Sequence, residues 1–292
     1  MAKQRVVILG PDTDDHLYHE KAEMADLDVE FIQESPQSEG EAIEAVRGAD
    51  AIMMRGGWGT EQVIRAADQA KVLAVYSHGF NHIDVDAATD MGIIITNGAG
   101  MCAEEVSNQA VTMALALNRQ LVQTTNQLRD TGDWDRSAFL PIEPIDEQTL
   151  GIVGFGNIGR QVARKLGQGW RMETLVYDPY VAPWIIREYN VEQVFELNDL
   201  CKRSDYIIVV VPLNTETFHM IGAEQFDHMK KSAYYINVCR GSVTDEPAMI
   251  EALKSGKIRG AGLDVFEQEP VDPNNPLLQM NNVITAMHLA GA

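Results

Sequence analysis

Leu150-Gly151-Ile152-Val153-Gly154-Phe155-Gly156-Asn157-Ile158-Gly159 is the stretch that decides the fold. A short apolar run, Gly151–Val153, enters a Gly-x-Gly-x-x-Gly turn, and Gln161–Leu166 beyond it reads as a helix. In that context the first glycine permits a tight turn. The second lets the backbone approach a pyrophosphate, and the third lets helix and strand pack closely. Backbone amides at Asn157 and Ile158 then meet the phosphates at the positive end of the helix. A glycine turn without a ligand is the plainer alternative, and the strand–turn–helix context argues against it. The next apolar run, Leu175–Tyr177, ends at Asp178, 19 residues beyond Gly159. A carboxylate there suits the adenosine ribose hydroxyls. Its charge repels a 2′-phosphate, so the spacing predicts NAD rather than NADP; an exposed turn aspartate before Pro179 is the competing reading.

Working outward, further runs at Ile207–Val211, Tyr234–Val238, Gly262–Phe266 and Val283–Met287 supply the strands of a dinucleotide-binding sheet. Upstream, Arg5–Leu9, Val29–Ile32, Ala51–Met54, Val72–Tyr76 and Ile93–Thr96 alternate with helical stretches such as Glu41–Arg47 and Glu61–Gln69. Continuous apolar runs fit strands buried on both faces of a parallel sheet. The expectation is an α/β chain of two Rossmann-type, doubly wound parallel-sheet domains, with the active site in the cleft between them. Residues 1–102 would form a flavodoxin-like substrate-binding domain and residues 103–292 the NAD-binding domain. A long helix over 103–129 would join them, its stripe being Val106, Ala110, Met113, Leu117 and Leu121. The segment 131–145, with Gly132, Pro141 and Pro144, reads as a connection.

The 292 residues carry 23 Lys/Arg against 43 Asp/Glu, a formal net charge of −20. Residues 1–50 alone hold 13 acids and 4 bases, read here as a solvated face. Such a surface argues against nucleic acid and anionic membrane as partners. An apolar content of 45% excludes general disorder. Cys102, Cys201 and Cys239 are sparse, odd in number and without Cys-x-x-Cys spacing, so they read as reduced thiols and no metal is expected. No apolar run is long enough to span a membrane, and Met1–Arg5 passes straight into Val6–Leu9 without a signal-type segment. A cytoplasmic location is expected.

Further motifs follow the glycine turn: Val209-Val210-Val211-Pro212-Leu213-Asn214-Thr215-Glu216-Thr217, Ile236-Asn237-Val238-Cys239-Arg240-Gly241, Gly262-Leu263-Asp264-Val265-Phe266-Glu267-Gln268-Glu269-Pro270, and His288-Leu289-Ala290-Gly291. Taken in that order, the chain resembles the D-2-hydroxyacid dehydrogenases, the group of phosphoglycerate, glycerate and D-lactate dehydrogenases. The resemblance implies hydride transfer between NAD(H) and a 2-oxo or 2-hydroxy acid. Chemistry agrees with the residues at hand. Arg240 ends a buried strand and offers a bidentate cation for a carboxylate and for charge on the reacting oxygen. His288 ends another and can give or take the alkoxide proton near neutral pH. Glu269 would orient His288 and favour the imidazolium. Glu267 is its rival; the family pattern puts the acid directly before proline, which favours Glu269.

The resemblance also places Val238, Cys239, Asp264 and the His288–Gly291 turn beside the nicotinamide half, with Asp264 accepting from the carboxamide. Pro212 and Thr215 would lie by the adenosine and phosphates. Cys239 reads as a small packing residue, because no base stands ready to make it a nucleophile. In the first domain, Arg55-Gly56-Gly57-Trp58 and Ser77-His78-Gly79-Phe80 follow successive strands. Arg55, Gly56, His78 and Gly79 are the implied substrate contacts, backbone amides of the second loop holding the carboxylate. His78 departs from the small or apolar residue usual there, and an exposed loop histidine is its plainer reading. Trp58 would cap the substrate or simply pack. The usual Asn-Ala-Pro-Gly turn is Asn97-Gly98-Ala99-Gly100, and Ala103 replaces a threonine that bonds the cofactor. Relatives continue beyond the position of Ala292 with a returning helix, so the sequence is expected to be incomplete. They are also dimers through the segment matching 103–129. An NAD-sensing protein of the C-terminal-binding corepressor type shares these motifs and stands as the alternative. Formate oxidation is disfavoured because Glu269 stands where that branch has glutamine. Phosphite oxidation is disfavoured because the second substrate loop has no lysine.

Overall fold

Short Val- and Ile-rich segments make strands here because β-branched side chains suit a pleated surface covered on both faces. The computed structural model describes residues 3–11 and 17–292. These fall into two units, Met1–Met101 and Cys102–Ala292. The first holds β1 (Gln4–Leu9), β2 (Val29–Glu34), β3 (Ala51–Met54), β4 (Val72–Val75) and β5 (Ile94–Asn97). Their order is β2-β1-β3-β4-β5, and every pairing is parallel. That is the flavodoxin-like order, with a switch point between β1 and β3. Gly10 and Arg55 follow those two strands. A Cβ on Gly10 would sit 2.0 Å from the Arg55 carbonyl oxygen, so only glycine lets them approach.

The second unit holds β6 (Thr149–Val153), β7 (Glu173–Tyr177), β8 (Glu192–Val194), β9 (Tyr206–Val209), β10 (Tyr234–Asn237), β11 (Gly260–Leu263) and β12 (Val283–Thr285). They form one parallel sheet, β12-β11-β10-β9-β6-β7-β8. Strands β9, β10 and β11 are buried along their whole length. One face packs on Leu200, Phe226, Tyr235 and Leu253, the other on Val106, Met113, Leu117, Phe155 and Leu166. The short edge strand β8 has no counterpart among the sequence-predicted runs.

The expected helix over 103–129 is two helices. Ala103–Asn118 ends at Arg119, Gln120 turns left-handed at φ 50°, and Leu121–Thr131 starts a new direction. The cause is lateral. The Asn118 amide donates to the Tyr206 hydroxyl and the Glu143 carbonyl, and Gln120 donates to the Phe139 carbonyl. The apolar stripe therefore stops at Leu117, and Leu121 is exposed. Among the described residues no helix is long and apolar enough to cross a membrane.

Candidate active site

Because the sheet of residues 102–292 is wholly parallel, its strands deliver their following residues to one edge. Gly154 follows β6, Asp178 β7, Pro212 β9, Arg240 β10, Asp264 β11 and His288 β12. At ~4.8 Å per strand, Arg240 stands about 10 Å from the line of β12 and equally from β6. The glycine turn sits at the switch point between β6 and β9, where open α/β sheets bind ligands.

Each turn glycine has its own reason. Gly154 adopts φ 97°, and a Cβ there would meet Val211 at 2.8 Å. A Cβ on Gly159 would lie 2.2 Å from the Gly154 carbonyl oxygen, so helix Asn157–Val162 packs directly on the strand. Gly156 is exposed and its Cβ direction is open for 4 Å. That open face, below the first-turn amides of Asn157 and Ile158, fits a pyrophosphate. Asp178 does more than the sequence suggested. Its Oδ2 accepts from the Phe155 amide at 2.7 Å, while Oδ1 accepts from Tyr180 and Val181. It staples the glycine turn to the loop after β7. Pro212 and Thr215 lie in an exposed turn, in which Asn214 Oδ1 accepts from the Glu216 and Thr217 amides.

Arg240 is held by a residue that the sequence reading passed over. Asn237 is buried; its amide donates to the Arg240 carbonyl at 2.9 Å and its Oδ1 accepts from the Cys239 amide at 3.0 Å. The signal was present: one amide among Tyr234, Tyr235, Ile236 and Val238 has no place in an apolar strand unless it is satisfied. Arg240 Nη1 donates to the Cys239 carbonyl. Burial pushes the Cys239 thiol up to about 11, so it stays protonated at neutral pH and acts as packing.

His288 takes a left-handed backbone at φ 55°, which turns the chain at the end of β12. Its Nδ1 meets Glu269 Oε2 at 2.7 Å, and Glu269 Oε1 accepts from the Phe266 amide at 3.0 Å. A carboxylate only accepts, so Nδ1 carries the hydrogen and Nε2 is left to exchange a proton. The histidine side chain is 44% exposed, within reach of a substrate. Glu269, not Glu267, is its partner; Glu267 Oε1 meets His219 Nε2 at 2.6 Å instead.

Asp264 supports the turn at the end of β12. It is fully buried, and its two oxygens accept from the Leu289 and Ala290 amides at 3.1 and 2.9 Å. With the His288 amide on its carbonyl at 2.7 Å, it holds the His288 turn. Val238 is buried beside it in the core, and Gly291 packs toward Cys102.

In the first unit, Arg55 has partners within the fold. Its guanidinium pairs with Glu20 at 3.1 Å and lies 4.3 Å over the Tyr76 ring, with only 12% of the side chain exposed. Tyr76 also bonds Glu20, and burial with that bond pushes its hydroxyl up to about 12. His78 is half-buried: Nδ1 accepts from the Gly100 amide at 3.1 Å, tying its loop to the 97–100 turn. Gly56 is exposed and Gly79 half-buried on their loops, while Trp58 packs on the apolar core of this unit. Among the described residues, no group of three or more acidic, histidine or cysteine side chains could hold a metal ion.

With this geometry in place, three comparisons bear on it. Residues 111–290 match the family model described as D-isomer specific 2-hydroxyacid dehydrogenase, NAD binding domain. The chain is 42% identical over 249 residues to D-3-phosphoglycerate dehydrogenase of Methanocaldococcus jannaschii, covering 85% of this chain but 47% of that protein. It is 38% identical over 280 residues to glyoxylate reductase of Thermofilum pendens, covering 92% of this chain and 80% of that one. Among solved structures, the holo form of D-mandelate dehydrogenase from Rhodotorula graminis superposes with a TM-score of 0.88 at 28% identity, covering 100% of this chain and 89% of the other.

Proposed function

The chain belongs to the D-isomer specific 2-hydroxyacid dehydrogenase family, and from that premise we propose that it reduces a short 2-oxo acid to the D-2-hydroxy acid, and the reverse. The observation that carries the reading is His288 Nδ1 held by Glu269 at 2.7 Å, with Nε2 left to move a proton. Bound NADH supplies the hydride for the carbonyl carbon. His288 gives its Nε2 proton to the carbonyl oxygen, so C=O becomes CH–OH, and takes it back in oxidation. Glu269 keeps the ring oriented and stabilises the imidazolium. Arg240 pairs with the substrate carboxylate and stabilises charge on the reacting oxygen. Arg55, Gly56, His78 and Gly79 are the proposed substrate contacts within residues 1–101, Arg55 being also paired with Glu20 at 3.1 Å. We place the protein in the cytoplasm.

A homodimer is supported by the helix Leu121–Thr131. It has no buried residue, and it exposes Leu121 and Leu128 beside Trp134 and Leu140.

Incubation with NADH and a panel of glyoxylate, hydroxypyruvate, pyruvate and bulkier aryl oxo acids tests the activity. Oxidation of NADH with at least one member is expected. Tight NADH binding with no turnover across the panel would instead make the protein an NAD-sensing binding protein.

Asp178 gives a second test. Replacing it by Ser removes the charge that repels a 2′-phosphate and also frees the Phe155 amide. The ratio of kcat/KM for NADPH over NADH should rise at least roughly tenfold, since like charges brought together cost several kcal/mol. An unchanged ratio in steady-state kinetics would remove Asp178 from cofactor choice.

A further inference from the structure

The loop after β11 carries both Glu267 and Glu269, and each carboxylate has a histidine. Glu269 holds His288 at 2.7 Å; Glu267 holds His219 at 2.6 Å. His219 comes from a different part of the sheet edge, beyond β9. Its backbone is left-handed at φ 51°, and its ring stacks on Phe218 with centroids 4.0 Å apart. A non-glycine residue keeps that conformation only where its surroundings hold it. The His219 amide donates to the Ser242 carbonyl at 2.9 Å, and Ile221 bridges Thr244. His219 is thereby joined to the segment that directly follows Arg240. That segment rests in turn on the Glu269 loop, because a Cβ on Gly241 would lie 1.9 Å from the Phe266 carbonyl. The Glu267 amide donates to Glu246 Oε2 at 3.0 Å, and Glu246 Oε1 accepts from Asn275 at 2.7 Å.

Three segments therefore meet at one place: His219 after β9, Arg240–Gly241 after β10, and Glu267–Glu269 after β11. The His219–Glu267 contact closes the set, reaching across the middle segment to the loop that orients His288. We propose that His219 is a positioning residue, which acts through Glu267 to fix the loop that carries Glu269 and so the ring of His288. Both partners are about one-third exposed, so the pair adds little burial. Its value is geometric: Glu267 fixes one end of the three-residue segment Glu267–Glu269, whose other end holds His288.

This inference rests on the proposed dehydrogenase reading, and its test keeps the two apart. The variants are Glu267→Ala, His219→Asn, the pair combined, and Glu267→Gln, which keeps an acceptor for the His219 N–H. Two readouts are taken on the full chain: steady-state kinetics, and ¹⁵N-histidine spectra with the His288 signal assigned through His288→Gln. Glu267→Ala and His219→Asn should each lower kcat roughly 10-fold with KM nearly unchanged, as misplacement of a reacting group does. The double variant should be no worse than either single. The His288 ring signal should shift in both singles and return in Glu267→Gln. A His288 signal unmoved by Glu267→Ala and His219→Asn overturns the proposal, whatever the kinetics show. So do additive losses in the double variant. Absence of turnover in the wild-type chain, with the His288 shifts present, overturns the dehydrogenase reading and leaves the positioning role standing.

Discussion

His288→Gln should abolish most turnover while leaving the cofactor bound. Glutamine can still reach toward Glu269, so the loss isolates proton transfer from simple collapse of the turn. The turn has its own support: Asp264 takes the Leu289 and Ala290 amides on its two oxygens, and neither contact uses the histidine ring. A general acid contributes about 10²- to 10⁴-fold, and kcat for the oxo acid should fall by that much. The Kd for NADH, read by fluorescence, should stay within about threefold, because the glycine turn sits four strands away and Asp178 five, roughly 20 Å or more along the sheet. Loss in kcat alone would place the side chain at the reacting oxygen. Equal loss of NADH affinity would move His288 from chemistry to cofactor binding. Because His288 is not glycine yet sits at φ 55°, a melting curve must accompany the kinetics, and it should change little.

What could be read in the sequence was local. Strands β6, β7, β9, β10 and β11 were legible because a fully buried parallel strand is a short continuous apolar run, and length, Val/Ile content and flanking Gly, Asp or Asn separate it from a buried helix segment. The glycine turn was legible because Gly154, Gly156 and Gly159 stand at a fixed spacing within one strand–turn–helix unit. Gly159 meets Gly154, and Gly154 meets the strand end at Val210. Glu269 was separable from Glu267 only through the family pattern; spacing alone left two acids two residues apart. What was not legible shares a cause in distance along the chain. The partners of Arg55 were hidden because Glu20 lies 35 residues earlier and Tyr76 just past the next strand. The helix over 103–129 looked continuous because its break is driven by Asn118 bonding Tyr206, 88 residues on. The Asp264 contacts were hidden because the amides it accepts belong to residues 25 and 26 positions later. A buried polar side chain at a strand end is claimed by whatever backbone passes next to it, and sequence does not say which segment that is.

Gly241→Ala tests the same lesson at a position that was quoted in a motif and given no role. Its backbone conformation is ordinary, so no left-handed turn demands glycine there. The demand is contact. A Cβ would lie 1.9 Å from both the carbon and the oxygen of the Phe266 carbonyl and 2.3 Å from the Glu267 nitrogen. Those are backbone atoms, anchored through Glu246 on one side and Glu269 on the other, so no flexible side-chain end can yield. One methyl group must push the Arg240 segment and the Glu269 loop apart. Overpacking of this kind costs typically 1–3 kcal/mol, and about 3 kcal/mol is expected here because both sides are backbone. In a unit of this size that lowers Tm by roughly 6–12 °C. Activity should fall further than stability explains, since the displaced loops carry the guanidinium and the carboxylate behind His288. Gly57→Ala is the matched control, with nothing within 4 Å of its Cβ direction and no left-handed φ. It should leave Tm unchanged. Calorimetry on the pair decides the matter: a Gly241→Ala chain that melts with the wild type and turns over normally would mean that the two loops can separate without cost, and the site would then owe its geometry to something other than their contact.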